Sequence, residues 1–395
     1  LKNSPTSPTD EGLNAFFDLG NWMGFALSDD KTTTGFSGPY ILGVEHGIWA
    51  SNNFTSLDLV DENGNSLLRN LNYSEQNYFP GKLENQITFE EINLKSTLIF
   101  TSSKSLVIST IITNNGNQKL EFTPQWEGEI FHQIGHFINK DTHLITLMEK
   151  GQKIYLNPIS DEPFNIYSDS NKYVVSLKND NLKPKETKPY SIEIQYHPDQ
   201  KKPQQTIRKI NISKAVEDNQ LRWGKYLEIT KNNSLSKEEK LILTKSICTL
   251  INNWKSAAGS LKHNGLFPSY HYKWFQGFWS WDSWKHAVAL VKIDAELSKN
   301  QVRAMYDYQN KDGMIADCIF RDTTIEKHNW RDTKPPLSSW AIWEIYKETQ
   351  DTTFLNEMYP KVVNYHNWWY TFRDYDKDGL CEYGSTDGSL IAAKW

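Results

Sequence analysis

The sequence predicts a multidomain α and β protein, an antiparallel β-sandwich followed by a helical domain. From about Phe16 to Tyr196, short segments alternate apolar and polar residues between turn signals. From Ser236 onward, apolar residues recur at spacings of three and four. Period two marks strands with one buried face, and the longer spacing marks helices with an apolar stripe. Between the two regimes, residues 197–235 are rich in Lys, Gln, Asn and Asp and hold a single helix-like piece, "QLRWGKYLEIT". The predicted domains are therefore 1–196 for the sandwich, 197–235 for a linker with a short helix, and 236–395 for the helical part.

In chain order, the opening "LKNSPTSPTD" is polar and broken by proline, the composition of a flexible arm. It has neither an initiating methionine nor a signal-like apolar core, which reads as a mature exported chain, periplasmic or secreted. The strand pattern follows in "SLDLVDENGNSLL", "KSTLIFTSS", "SLVISTIITNNGNQKLEFTPQW", "KYVVSLKND" and "YSIEIQYH". Asn63-Gly64 and Asn115-Gly116 interrupt these runs, and their tolerance of positive φ suits hairpin turns. The first helix of the second domain opens on Ser236, with Glu239 three residues later to complete a capping box. Four more helices are predicted near 283–294, 297–309, 336–349 and 353–372.

Composition narrows the functions available. The 395 residues suffice for two or three domains, and a net charge of -5 with 23% charged residues offers no strong field for nucleic acid or membrane surfaces. Apolar runs such as "HAVALV" fall far short of the roughly 20 residues of a membrane span. Cys248, Cys318 and Cys381 are odd in number and widely spaced, so neither a disulfide framework nor a zinc knuckle is expected.

Tryptophan is distributed unevenly. Four of fifteen precede residue 254 and eleven lie from 254 onward, so the helical domain carries the excess. Trp284, Trp340, Trp343, Trp368 and Trp369 recur within predicted helices and read as core. Those in loops present flat apolar faces of the kind that pack against a sugar ring. The segment "WFQGFWSWDSWKHAVAL" places Asp282 directly after Trp281, with Trp279 two residues earlier. Asp282 precedes the helix "SWKHAVALVK" and is either its N-cap or a carboxylate that accepts sugar hydroxyls between Trp279 and Trp281. The two roles are compatible.

Three long segments, "NNWKSAAGSLKHNGLFPSYHYKWFQGFWSWDSWKHAVAL", "NWRDTKPPLSSWAIWEIY" and "MYPKVVNYHNWWYTFRDYDKDGLCEYGSTDG", resemble the bacterial α-glucosidase branch of glycoside hydrolase family 63, relatives of processing glucosidase I. "FFDLGNWMGFAL" and "GFSGPYIL" resemble the start of the same branch. The resemblance implies that residues 236–395 form the first part of an (α/α)6 barrel. It also implies that Trp279, Trp281 and Asp282 bind the glucose at the cleavage subsite. Arg331 and Lys334, in "WRDTKPP", match a second segment facing that pocket. Without the resemblance, Arg331 and Asp332 read equally well as a surface ion pair.

Glycoside cleavage needs two carboxyl groups, and inversion of configuration needs them roughly 6.5–9.5 Å apart so that water fits between. In the family resembled here, the acid is the Asp of a Glu-Ser-Gly-X-Asp segment after an "AAxW"-like stretch, and the base is a later Glu. This sequence reaches "LIAAKW" at Trp395, and five predicted helices compare with the family's twelve. The catalytic acid and base are therefore expected beyond Trp395, in the remainder of the barrel, supplied as a C-terminal continuation or a second chain. The expected activity is an inverting, exo-acting α-glucosidase. The alternatives are a glucosyl- or mannosyl-glycerate hydrolase and a noncatalytic carbohydrate-binding protein.

A second candidate site is "DYDKDGLCE". Asp374, Asp376 and Asp378 alternate, Gly379 allows a sharp turn, the Leu380 carbonyl adds an oxygen, and Glu382 follows. Such hard oxygen donors suit calcium, while the plainer reading is a solvated acidic turn. The twelfth position is Ser385 rather than a bidentate Glu, which excludes an EF-hand. Members of the resembled branch carry a structural calcium at matching positions.

Overall fold

The structure is a computed structural model that describes residues 1–43, 46–68, 74–148, 151–198, 210–331, 336–384 and 393–394. The chain divides into two compact units, Leu1–Trp223 and Gly224–Trp395. An antiparallel β-rich region is followed by a helical part.

In the first unit, an eight-stranded antiparallel sheet runs in the order Gly135–Asn139, Leu144–Met148, Lys153–Ile159, Thr187–Tyr196, Ser105–Asn114, Ile92–Ser102, Lys82–Phe89 and Ser74–Phe79. A second sheet is centred on Leu120–Glu129, which pairs with Lys172–Ser176, Asp180–Leu182 and Ser56–Val60. Strand periodicity explains the core. Along Thr187–Tyr196, Ile192, Ile194 and Tyr196 are sealed, and they share a face with Tyr190, which meets Phe122 of the other sheet edge-on at 6.1 Å. A smaller sheet of Met23–Ala26, Ser37–Ile41 and Ile48–Trp49 completes the unit.

Two local expectations change, and one holds. The arm at residues 1–10 is tied down: Asn3 N donates to Leu27 O at 2.9 Å, Leu27 N to Leu1 O at 3.0 Å, and Trp49 N to Pro8 O at 2.9 Å. Backbone pairing outweighs its polar composition. Asn63-Gly64 does turn the chain sharply, with Gly64 at φ +78° and Val60 bridging Ser66. Asn115-Gly116 does not form a hairpin, because the strands on either side belong to different sheets. Asn114 organises that crossing: its Oδ1 accepts from Gly116 N at 2.9 Å, and its Nδ2 donates to Gln118 O and Leu182 O at 2.8 and 3.0 Å. In the stretch between the two regimes, helix α1 (Ile212–Tyr226) is held by Asp18, which accepts from Arg222 and Trp223.

The helical unit contains α2 (Lys237–Asn253), α3 (Ser280–Leu290), α4 (Ala295–Tyr306), α5 (Ser338–Thr349) and α6 (Thr352–Phe372). The capping box of α2 has both halves, Glu239 N donating to Ser236 Oγ at 3.2 Å and Ser236 N to Glu239 Oε2 at 2.7 Å. Helix α3 packs on α4 and α5, and α5 on α6. Lys299 fastens α4 to the cap of α6 by reaching Glu296 at 2.7 Å and Asp351 at 2.6 Å. Trp284, Trp368 and Trp369 are buried as their helical spacing predicts, whereas Trp340 and Trp343 are 41% and 52% exposed. They lie on the side of α5 that carries Glu344 and Lys347, which pair at 2.8 Å, while Ala341, Ile342 and Ile345 fill its buried side, so periodicity alone misplaced them. Cys248 and Cys318 are buried and Cys381 is half-buried, all as free thiols. No described helix is long and apolar enough to cross a membrane.

Candidate functional site

The Trp-Asp segment is positioned by a small backbone ladder. Residues Phe278–Trp279 pair with Cys318–Ile319, and Cys318 in turn bridges Asn329. Ser280 N donates to Asp317 O at 2.9 Å and Asp317 N to Asn329 O at 2.8 Å. The ladder leaves the chain extended up to Trp279, so α3 begins at Ser280, three residues earlier than its apolar spacing suggested. Close approach at this point requires Gly277, where a Cβ would lie 2.7 Å from Cys318 Sγ and 2.8 Å from the Phe320 ring.

Asp282 is therefore not the N-cap. Trp279 holds that position with no side-chain cap, and Asp282 sits half-buried in the first turn, where a negative charge suits the helix dipole. Trp279 is half-buried, with its ring edge-on to Phe275 at 5.7 Å and its Nε1 donating to Trp274 O at 3.2 Å. Trp281 is half-buried too, and Lys285 Nζ lies 3.7 Å from its ring centroid, one helical turn along. Arg331 is exposed, its backbone N–H donating to Asn329 Oδ1 at 3.1 Å. Lys334 lies outside the described residues.

The structure adds groups that sequence reasoning missed. Asp317 is a buried carboxyl residue whose backbone pairs with both the start of α3 and Asn329. Its signal was an acid inside the otherwise apolar "MIADCIF". Tyr272, Trp274, Phe275 and Trp330 are exposed aromatics on the same two segments, 272–279 and 329–331. His286 follows Asp282 by one turn. Burial, aided by Lys285, pushes its pKa down to about 4, and its Nδ1 is sealed from solvent although the residue as a whole is half-buried. It is neutral at ordinary pH. Aromatic faces, a carboxylate and neutral hydrogen-bonding groups are what a site for a polyhydroxylated ring requires.

At the end of α6, Asp374, Asp376 and Asp378 bring one oxygen each to within 4.8 Å of one another. Left-handed conformations at Lys377 and Gly379, φ +57° and +87°, curl the loop around them. Gly379 N donates to Asp374 Oδ2 at 3.2 Å and Leu380 N to Asp378 Oδ1 at 2.9 Å. Asp374 Oδ1 is buried with no hydrogen-bond partner among the described residues, an orphaned oxygen that a hard cation would satisfy. Glu382 lies outside this three-acid group, and its Oε2 accepts from Tyr375 N at 2.8 Å. Leu380 follows on the same turn with its side chain exposed. Burial and the nearby Asp374 and Glu382 carboxylates raise the Cys381 thiol pKa.

Comparison with known proteins bears on both units. Residues 275–395 match the profile of the mannosylglycerate hydrolase MGH1-like glycoside hydrolase domain, and residues 6–155 match that of the N-terminal domain of glucosidase YgjK. Among curated relatives, the mannosylglycerate hydrolase of Thermus thermophilus is 25% identical over 137 residues, 30% of this chain and 31% of that protein. Mannosylglycerate hydrolase MGH2 of Selaginella moellendorffii is 21% identical over 120 residues, 26% of this chain and 25% of that protein. An uncharacterized Saccharomyces cerevisiae protein is 27% identical over 121 residues, 28% of this chain and 10% of its own length. The matches thus span a tenth to about a third of these relatives. A solved structure assigned as a kojibiose phosphorylase from the human microbiome superposes with a TM-score of 0.57 at 11% identity, covering 89% of this chain and 57% of that one. It shares the β-rich then helical architecture. The matches support a relationship to family 63-like glycoside hydrolases without distinguishing a branch.

Proposed function

We propose that this chain supplies the β-sandwich and the first helices of an inverting, exo-acting α-glucosidase-type glycoside hydrolase that removes terminal α-linked glucose from an oligosaccharide or small glucoside. The observation that carries this reading is the ladder joining 278–279, 318–319 and 329, which sets Trp279, Trp281 and Asp282 beside the segment leading to Arg331. Asp282 accepts hydrogen bonds from the terminal sugar, the tryptophans pack on its C–H faces, and Arg331 and Lys334 border the same subsite. The acid and base come from the remainder of the barrel, as a continuation or a second chain. Exposed apolar side chains on α5 and α6 support this: Val363 and Tyr370 are exposed at a cavity of about 460 Å³, Trp340 and Trp343 are exposed elsewhere on α5, and apolar patches of this kind mark surfaces that other protein covers.

A second reading, hydrolysis of mannosyl- or glucosyl-glycerate, is favoured by the profile matched over residues 275–395 and by the curated relatives. A panel of α-glucosides and glyceryl glycosides, with the first-formed anomer followed by NMR, separates the two. Release of β-glucose from α-glucosides is expected. Preferential turnover of the glycerate compounds moves the assignment to the second reading, and a product that first appears as the α-anomer removes inversion.

Calcium belongs to the same proposal. Asp374, Asp376 and Asp378 hold it with the Leu380 carbonyl, and Glu382 braces the loop or joins the ligands. Bound there, the ion neutralises three clustered acids and fastens the loop after α6. Titration of the chelated protein is expected to show one equivalent of calcium, and a hundredfold excess over Kd stabilises the fold by about 2.7 kcal/mol, enough to raise Tm by several degrees. Absence of both heat and shift, or an unchanged response in Asp376→Asn, removes the ion. Export to the periplasm or the medium completes the reading, and cell fractionation tests it.

A further inference from the structure

Strand Thr187–Tyr196 sends Ile192, Ile194 and Tyr196 into the core between sheets, so Glu193 and Gln195 point to the opposite face. Gln195 lies in register with Ser105 and Glu193 with Val107 on the neighbouring strand. Glu193 is only 6% exposed, a depth at which a carboxyl group needs partners. Asn157 Nδ2 donates to its Oε2 at 3.1 Å, and the Gln195 side chain supplies a second hydrogen bond. Burial raises its pKa and the two amides partly offset that. Over this pair opens a cavity of about 530 Å³, bounded by Leu19, the Phe100–Ser102 strand end and the start of α1. All of it belongs to the first unit.

The lining selects a ligand class. Its charges cancel, Glu193 and Asp218 against Lys214 and Arg222, which disfavours an anion or a cation as occupant. Lys214 and Asp218 pair with each other at 3.2 Å, and Arg222 is bound to Asp18 at 2.8 and 2.7 Å, so neither base is dedicated to a phosphate or carboxylate. What the wall offers is hydroxyls at Ser102 and Ser105, an amide at Gln195 and a carboxylate acceptor at Glu193, beside the half-buried apolar side chains of Leu19, Ile210 and Ala215. Alternating donors and acceptors next to an apolar patch match a ring bearing hydroxyls, each of which both donates and accepts. The volume lies within the range of small-molecule sites and is large enough for one or two such rings.

We propose that the β-sandwich unit binds a neutral mono- or disaccharide in this cavity, against Glu193 and Gln195. The site is separate from the one on the helical unit and does not depend on the glycosidase reading. Hydrogen–deuterium exchange of the whole protein, with maltose and glucose as probes and glycerol as control, tests it. Protection is expected in 101–105, 191–195 and 211–222, and Gln195→Ala is expected to weaken it roughly tenfold, the equivalent of one lost hydrogen bond. Lys214→Met, a surface change that cannot unfold the sheet, is expected to weaken it less. Protection confined to 271–331 would bear out the helical-unit site and overturn this one. Protection in neither region overturns it as well, as does equal affinity in both variants.

Discussion

Asp282→Asn, placed in the complete enzyme, is expected to lower kcat/KM by roughly a hundredfold to a thousandfold with the fold retained. On the proposed reading, Asp282 accepts hydrogen bonds from the reacting sugar, and losing one such preorganised electrostatic contact typically lowers the rate by this much. The structural cost is small. Asp282 is not the cap of α3, so neutralising it takes away no cap and removes a favourable helix-dipole term of about 0.3–1 kcal/mol. Activity and stability therefore report on different roles. A drop in Tm of several degrees with near wild-type turnover would reassign Asp282 to a structural part. The same variant leaves Glu193, Gln195 and the three acids after α6 untouched, so saccharide binding by the sandwich and calcium binding should persist.

The largest effect on stability is expected at Asp18. This carboxylate is fully buried and accepts four hydrogen bonds: Arg222 Nη1 at 2.8 Å and Nη2 at 2.7 Å, Trp223 Nε1 at 2.8 Å, and Leu19 N at 2.7 Å. Asp18→Ala leaves a largely buried guanidinium, an indole N–H and an amide short of an acceptor. Breaking a buried pair from one side costs about 3–5 kcal/mol. Asp18→Asn keeps an acceptor oxygen and the shape, so it should cost less. Urea unfolding provides the number, and limited proteolysis the place, with new cuts expected in α1. Loss of less than about 1 kcal/mol in the alanine variant would mean that the clamp adds little beyond the desolvation it requires.

Much of this architecture was legible in the chain. The change of spacing at Ser236 is local, as are the capping box of Ser236 and Glu239 and the alternating acids at 374–378, and each is present in the structure. Other features depended on partners distant in sequence. Asn115-Gly116 carries a hairpin's residues but joins two sheets, because Leu120–Glu129 pairs with Ser56–Val60 and Lys172–Ser176 instead of with the strand before it. Trp340 and Trp343 have the spacing of core residues and lie exposed, since period says which residues share a face and not what that face meets. Trp281 was expected to wall a pocket, and Lys285 also stands over its ring.

What the sequence determined by itself is the order of architectures, the helix starts that carry their own caps, and the clustering of aromatic rings around Asp282. All of these follow from interactions within a few residues. Only the tertiary structure decided that Asp317 and Asn329 border the Trp-Asp segment, that Asp18 clamps a helix some two hundred residues later, and that Glu193 and Gln195 floor a polar cavity. Those juxtapositions arise from backbone pairing and burial between remote segments, which periodicity and spacing along one chain do not encode.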